Sequence, residues 1–108
     1  MRTVSIAKEF SRYPGGRFER DGPHSGEEFR ARYLIPALQA KEKLVIAMDG
    51  VRGYGSSFLE EAFGGLVRLG FEREFVRDHL TFETENPSLK LEVEEYISQA
   101  KQASGVSH

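Results

Sequence analysis

The sequence predicts an α/β fold: a single domain with one small mixed β-sheet packed with α-helices. Three observations predict it. A continuous apolar run, Leu44 to Met48, ends in Asp49 and a glycine-rich loop. Apolar stripes at helical spacing flank that run on both sides. No repeat, linker or low-complexity stretch interrupts the 108 residues, a length that closes one core without covalent staples. The expected order is β-β-α-β-α-(α)-β-α, with residues 1–103 as the domain and 104–108 as a frayed tail.

Thr3 to Phe10 alternates through Val4 and Ile6 as a half-buried strand does, and Pro14-Gly15-Gly16 punctuates it. RFERDG after the turn reads as a return strand, so the first two strands are expected to form a hairpin. Ser25 with Glu28 three residues on is a capping box. Phe29, Tyr33 and Ala37, with Leu34 and Leu38, make the stripe of the helix it opens, and Pro36 should kink or tighten that helix. The run Leu44 to Met48 reads as a central strand buried on both faces. From Ser57, a stripe of Phe58, Leu59, Ala62, Phe63, Leu66 and Val67 runs to a stop at Gly70. Gly64-Gly65 inside that helix cost roughly 1 kcal/mol each against Ala, which implies close packing on a neighbour. The next segment is a short helix followed by a strand near Leu80 to Thr84, or a strand from Phe75 onward. Pro87 near its first turn and a stripe of Leu89, Val93, Tyr96, Ile97 and Ala100 mark the last helix.

Charge and composition exclude several classes. Fifteen Lys and Arg against seventeen Asp and Glu, interspersed, leave a net charge of -2 and no basic face for nucleic acid. Without cysteine there is no disulfide and no thiolate metal site. The longest apolar run is too short to span a bilayer, and the first ten residues lack a signal core, which fits a cytoplasmic protein. The three histidines have no metal-ligand spacing and read as solvated, so neither metal nor cofactor is expected.

The loop DGVRGYGSS joins the central strand to a helix start, the place where open α/β sheets meet ligands and partners. Unsatisfied N–H groups there favour an anion or a phosphorylated side chain. The glycines match neither the P-loop nor the dinucleotide fingerprint.

The run YGSSFLEEAFG, Tyr54 to Gly64, with FSRYPGGRFERDGPHSGEEFR upstream, resembles the STAS-like domains of unknown function. These are small bacterial proteins often found near GHKL-type ATPases, and they are remotely similar to the STAS domains of anti-sigma-factor antagonists. The resemblance implies a STAS-like fold and a partner-switching kinase or ATPase as partner. On that pattern Ser56 and Ser57 match the two hydroxyl residues and Leu59 the leucine that follows. Gly55 stands where the antagonists carry Asp, and Phe58 where they carry Gly.

Each candidate also has a plainer role. Ser57 with Glu60 is itself a capping box, so Ser57 is expected to cap the helix, and Ser56 is the better phosphoacceptor. Asp49 before a glycine forms turns more often than it ligates a metal. Glu60-Glu61 and the glutamates 92, 94 and 95 read as outward helix faces. Arg52 is an exposed loop residue or an interface anchor. No nucleophile, base and orienting group come together, so no catalytic residue is assigned. The expectation is a non-enzymatic regulatory interaction module acting through Asp49, Arg52, Tyr54, Ser56, Ser57 and Phe58. The competing class is a small-ligand or phosphate-binding domain, or an unrecognised enzyme, using the same loop.

Overall fold

The structure, a computed structural model, describes residues 1–101; the expected tail at 104–108 lies outside the described residues. Strand β1 (Arg2–Ser5) leads into a π-helical turn, Ile6–Phe10. Helix α1 (26–39), strand β2 (Leu44–Ala47), helix α2 (56–68), helix α3 (Arg73–His79), strand β3 (Leu80–Glu83) and helix α4 (Pro87–Gln99) follow. The sheet order is β1-β2-β3, and both pairings are parallel. The α/β class therefore stands, and the run from Leu44 is the central strand.

The expected hairpin does not form, which is why the sheet is parallel throughout rather than mixed. Ser5 ends β1 early, because its hydroxyl accepts from the Lys8 N–H and its own N–H donates to Glu9. RFERDG closes into a 3-10 turn, Glu19–Asp21, with the Phe18 N–H donating to the Asp21 carboxylate. Local side-chain acceptors win there over pairing in a ladder.

The central strand buries one face. Leu44, Ile46 and Met48 are buried while Val45 and Ala47 are half-exposed. Its neighbours agree in register: Val4 and Phe82 are buried, whereas Thr3, Thr81 and Glu83 are exposed. The expected double burial is thus corrected. An apolar run here reflects a packed face with small or β-branched residues behind it.

Helices α1, α2 and α4 pack together over the buried face. Ser25 caps α1 as expected, accepting from the Glu28 N–H, while Glu28 reaches back to the His24 N–H. The helix widens into a π turn at Arg30–Leu34 directly before Pro36, with the Ile35 N–H donating to the Arg30 carbonyl. So the proline is accommodated by loosening the turn before it, not by tightening. A second π turn, Glu60–Gly64, lies within α2. That helix stops at Gly70 (φ 115), where the Gly70 and Phe71 N–H groups return to the Val67 and Leu66 carbonyls.

The glycine pair packs closely, as its cost implies. A Cβ on Gly64 would lie 3.3 Å from the Tyr96 carbonyl oxygen, and one on Gly65 would collide with the Arg30 guanidinium.

Candidate functional site

The loop after β2 is built from tight local contacts. Gly50 takes a left-handed conformation (φ 95) with Ala7 close against it. Farther along, the Arg52 N–H donates to the Arg12 carbonyl, and the Tyr54 hydroxyl donates to the Met48 carbonyl at 2.7 Å. The Tyr54 ring stacks on Phe58. Burial, and then the Asp49 charge, raise the Tyr54 phenol well above its ordinary range, so it stays a donor.

Asp49 clasps two loops together. One carboxylate oxygen accepts from the Thr84 hydroxyl (2.5 Å) and the other from the Glu85 N–H (2.9 Å). Those two bonds, Thr84 first, hold its carboxyl below the usual carboxylate range. The same segment continues into α4, where Asn86 caps the helix by accepting from the Ser88 and Leu89 N–H groups.

Between this loop and the start of α4 lies a cleft of about 370 Å³ at the carboxyl end of the sheet. Asp49, Tyr54, Asn86, Leu89 and Glu92 are among its walls. Tyr96 donates to Glu92 at 2.6 Å, which raises the phenol's pKa.

The predicted residues divide. Asp49 and Tyr54 line the cleft, Arg52 and Ser56 are exposed beside it, and Ser57 is half-buried. Phe58 is 0% exposed, set among Phe10, Phe29 and Tyr54, so it is a core residue rather than a contact surface.

The Ser57–Glu60 capping box is not formed. Gly55 is the N-cap, no side chain caps the helix, and both serines already lie in its first turn. Glu60 is drawn away by two arginines, which explains the failure. It binds Arg68 and Arg17, and those bonds, Arg68 first, depress its pKa against the opposing effect of burial.

Nor is Glu61 an outward residue. It is 7% exposed and pairs with Arg30 (2.9 Å), itself 7% exposed, and with Arg17 (3.1 Å) and Arg68 (3.3 Å). Three arginines and two glutamates thus form a knot between α1, α2 and the loop before α1, with Arg30 and Glu61 buried at its centre and Arg17, Glu60 and Arg68 reaching the surface. The sequence did carry a signal for it: Glu61 falls three residues after Phe58 and four before Gly65, inside the apolar stripe.

His24 and His79 are half-buried rather than solvated. His24 meets the Phe10 ring, and His79 stacks on Phe75 with its Nδ1 at 2.8 Å from the Phe75 carbonyl oxygen. His108 lies outside the described residues. Among the described residues no group of three or more His, Cys, Asp or Glu could hold a metal ion. No helix among them is long and apolar enough to cross a membrane.

A parallel sheet covered by helices on one face, with its loop cleft at the strand ends, defines a small α/β domain. Residues 25–90 match the family described as STAS-like domain of unknown function, and the chain belongs to that family. No curated protein matches the chain, and no solved structure does.

Proposed function

We propose that the protein is a non-enzymatic regulatory interaction module that binds a protein partner through the 49–57 loop and the exposed start of α2. One observation carries this reading. Gly53 and Gly55 have no left-handed backbone, and a Cβ at either would meet nothing within 4 Å, so the fold itself does not require glycine there. Glycine at such places fits the close approach of another backbone. Arg52 and Ser56 stand exposed beside it, available to that partner.

The resemblance to anti-sigma-factor antagonists supports a GHKL-type ATPase or kinase as partner, with Ser56 as the modified hydroxyl, in the cytoplasm of a bacterial cell. A phosphate there would bring about −1.5 to −2 charges one helical turn from Glu60 and would change what the loop can bind.

The test is site-specific photocrosslinking in the native cell, with the probe at Arg52 and, as a control, at Thr81 on the open sheet face. One partner captured from Arg52 and not from Thr81 supports the reading, and phosphosite mapping of the captured complex examines Ser56. Capture from Thr81 alone would overturn the loop as the binding surface.

A second reading has its own observation. The start of α2 has no side-chain cap, which leaves its N–H groups for an anion. Calorimetric titration with inorganic phosphate decides it: saturable binding lost on Gly55→Pro supports a phosphate-binding domain.

A further inference from the structure

The cleft beside the loop is acidic, and its acids are left without a cation. Glu60 and Glu61 in the arginine knot are each met by at least two arginines. Asp49 and Glu92 are held only by neutral donors, namely the Thr84 hydroxyl, the Glu85 N–H and the Tyr96 hydroxyl. Among the described residues neither forms an ion pair, and no Lys, Arg or His lines the cleft. The nearby helix start does not compensate, because Asn86 already takes the Ser88 and Leu89 N–H groups.

We propose that this cleft receives a cationic side chain, arginine above all, projecting from the protein partner. The inference rests on the interaction-module reading and names the group that the module recognises. The occupant follows from charge complementarity. Two carboxylates with fixed orientations suit a guanidinium fork better than a point charge. The remaining walls, Met48, Val51, Tyr54 and Leu89, suit the aliphatic stem that precedes it. An anionic group would meet both carboxylates and is disfavoured. The cleft volume lies within the range of specific small-group sites.

The test is a two-dimensional NMR titration of the full chain with N-acetyl-arginine methylamide. The neutral isostere, N-acetyl-citrulline methylamide, and inorganic phosphate serve as comparison probes. The arginine probe should shift the amides of residues 49–54 and 86–92, with roughly tenfold weaker binding in Glu92→Gln. That variant keeps an acceptor for Tyr96 and leaves the rest of the spectrum as a check on folding. Asp49→Asn should weaken binding in the same direction, and added salt should weaken it too.

Equal shifts from the citrulline probe, shifts from phosphate alone, or no localised shift up to the arginine probe's solubility limit would each overturn the inference. None of these outcomes bears on crosslinking at Arg52. The module reading can therefore survive the loss of its cationic anchor, and a cationic site can survive the loss of the module reading.

Discussion

Two groups of carboxylates in this molecule are treated in opposite ways. In the knot, Glu61 is buried and Glu60 half-buried, and both are matched by arginines, Arg17, Arg30 and Arg68 among them. In the cleft, Asp49 is exposed and Glu92 half-buried, and both are positioned by hydroxyl and amide groups that carry no charge. A buried charge must be paired where it lies, so the knot is committed to the fold. A carboxylate held in place without a cation keeps its charge available to something else. The difference separates what this chain spends on structure from what it leaves for recognition.

The largest effect should come from breaking the knot on one side. Arg30→Ala removes the closest and only buried partner of Glu61 while Arg17 and Arg68 remain, and should cost about 1.5–3 kcal/mol in urea denaturation. Arg30→Met combined with Glu61→Leu should recover most of that loss. If the double variant is no more stable than Arg30→Ala, packing rather than charge explains the site.

Glycines sharpen the same contrast. A Cβ on Gly26 would lie 2.6 Å from the Phe58 carbonyl oxygen and 3.0 Å from the Ala62 nitrogen, both backbone atoms in α2. Gly26→Ala should therefore force α1 and α2 apart and cost about 1–3 kcal/mol. In the loop, Gly53→Ala should be neutral or stabilise by about 0.4–1 kcal/mol through the unfolded chain. Similar losses from both would show that the loop glycine is structural after all.

Capping makes a smaller test. Asn86→Ala should cost about 1 kcal/mol, because it removes the acceptor for two N–H groups at the start of α4. Ser56→Ala and Ser57→Ala should each stay within about 0.5 kcal/mol, since Gly55 and not a serine caps α2. A clear loss on Ser57→Ala alone would restore the capping box that the sequence predicts.

Acid offers the gentlest probe. Glu60 has a folded-state pKa below its ordinary 4.5, so its contribution is fully present above that value. It is lost as pH falls through the lowered folded value, when the carboxylate takes a proton and releases Arg68 and Arg17. Urea midpoints followed downward in pH should fall less steeply for Glu60→Gln than for the parent chain. Parallel profiles would remove Glu60 from the acid response.

Legibility followed sequence distance. The Ser25 cap, the stripes of α1, α2 and α4, and the stop at Gly70 are set by residues three or four apart, and all were readable. Pro36 was readable as a disturbance but not as a π turn, because sequence does not say whether neighbours tighten or widen the helix. The failed hairpin had a local signal in Ser5 and Asp21, whose side chains satisfy nearby N–H groups. At the candidate site, the loop and its position at a strand end were legible, while the cleft was not, since Asn86 and Glu92 come from beyond β3.

The sequence by itself determined helices α1, α2 and α4, the central strand and the loop, because periodicity and capping act within a turn or two of the chain, whereas it left Arg73–His79 open between helix and strand. Only the tertiary structure decided the sign and burial of each charge's surroundings. Glu61 looked like a surface acid until Arg30, 31 residues away, and Arg17, 44 residues away, were brought onto it. Ser57 looked like a cap until Arg17 and Arg68 claimed Glu60. Electrostatic energy depends on separation in space and on access to water, and neither quantity is written along the chain.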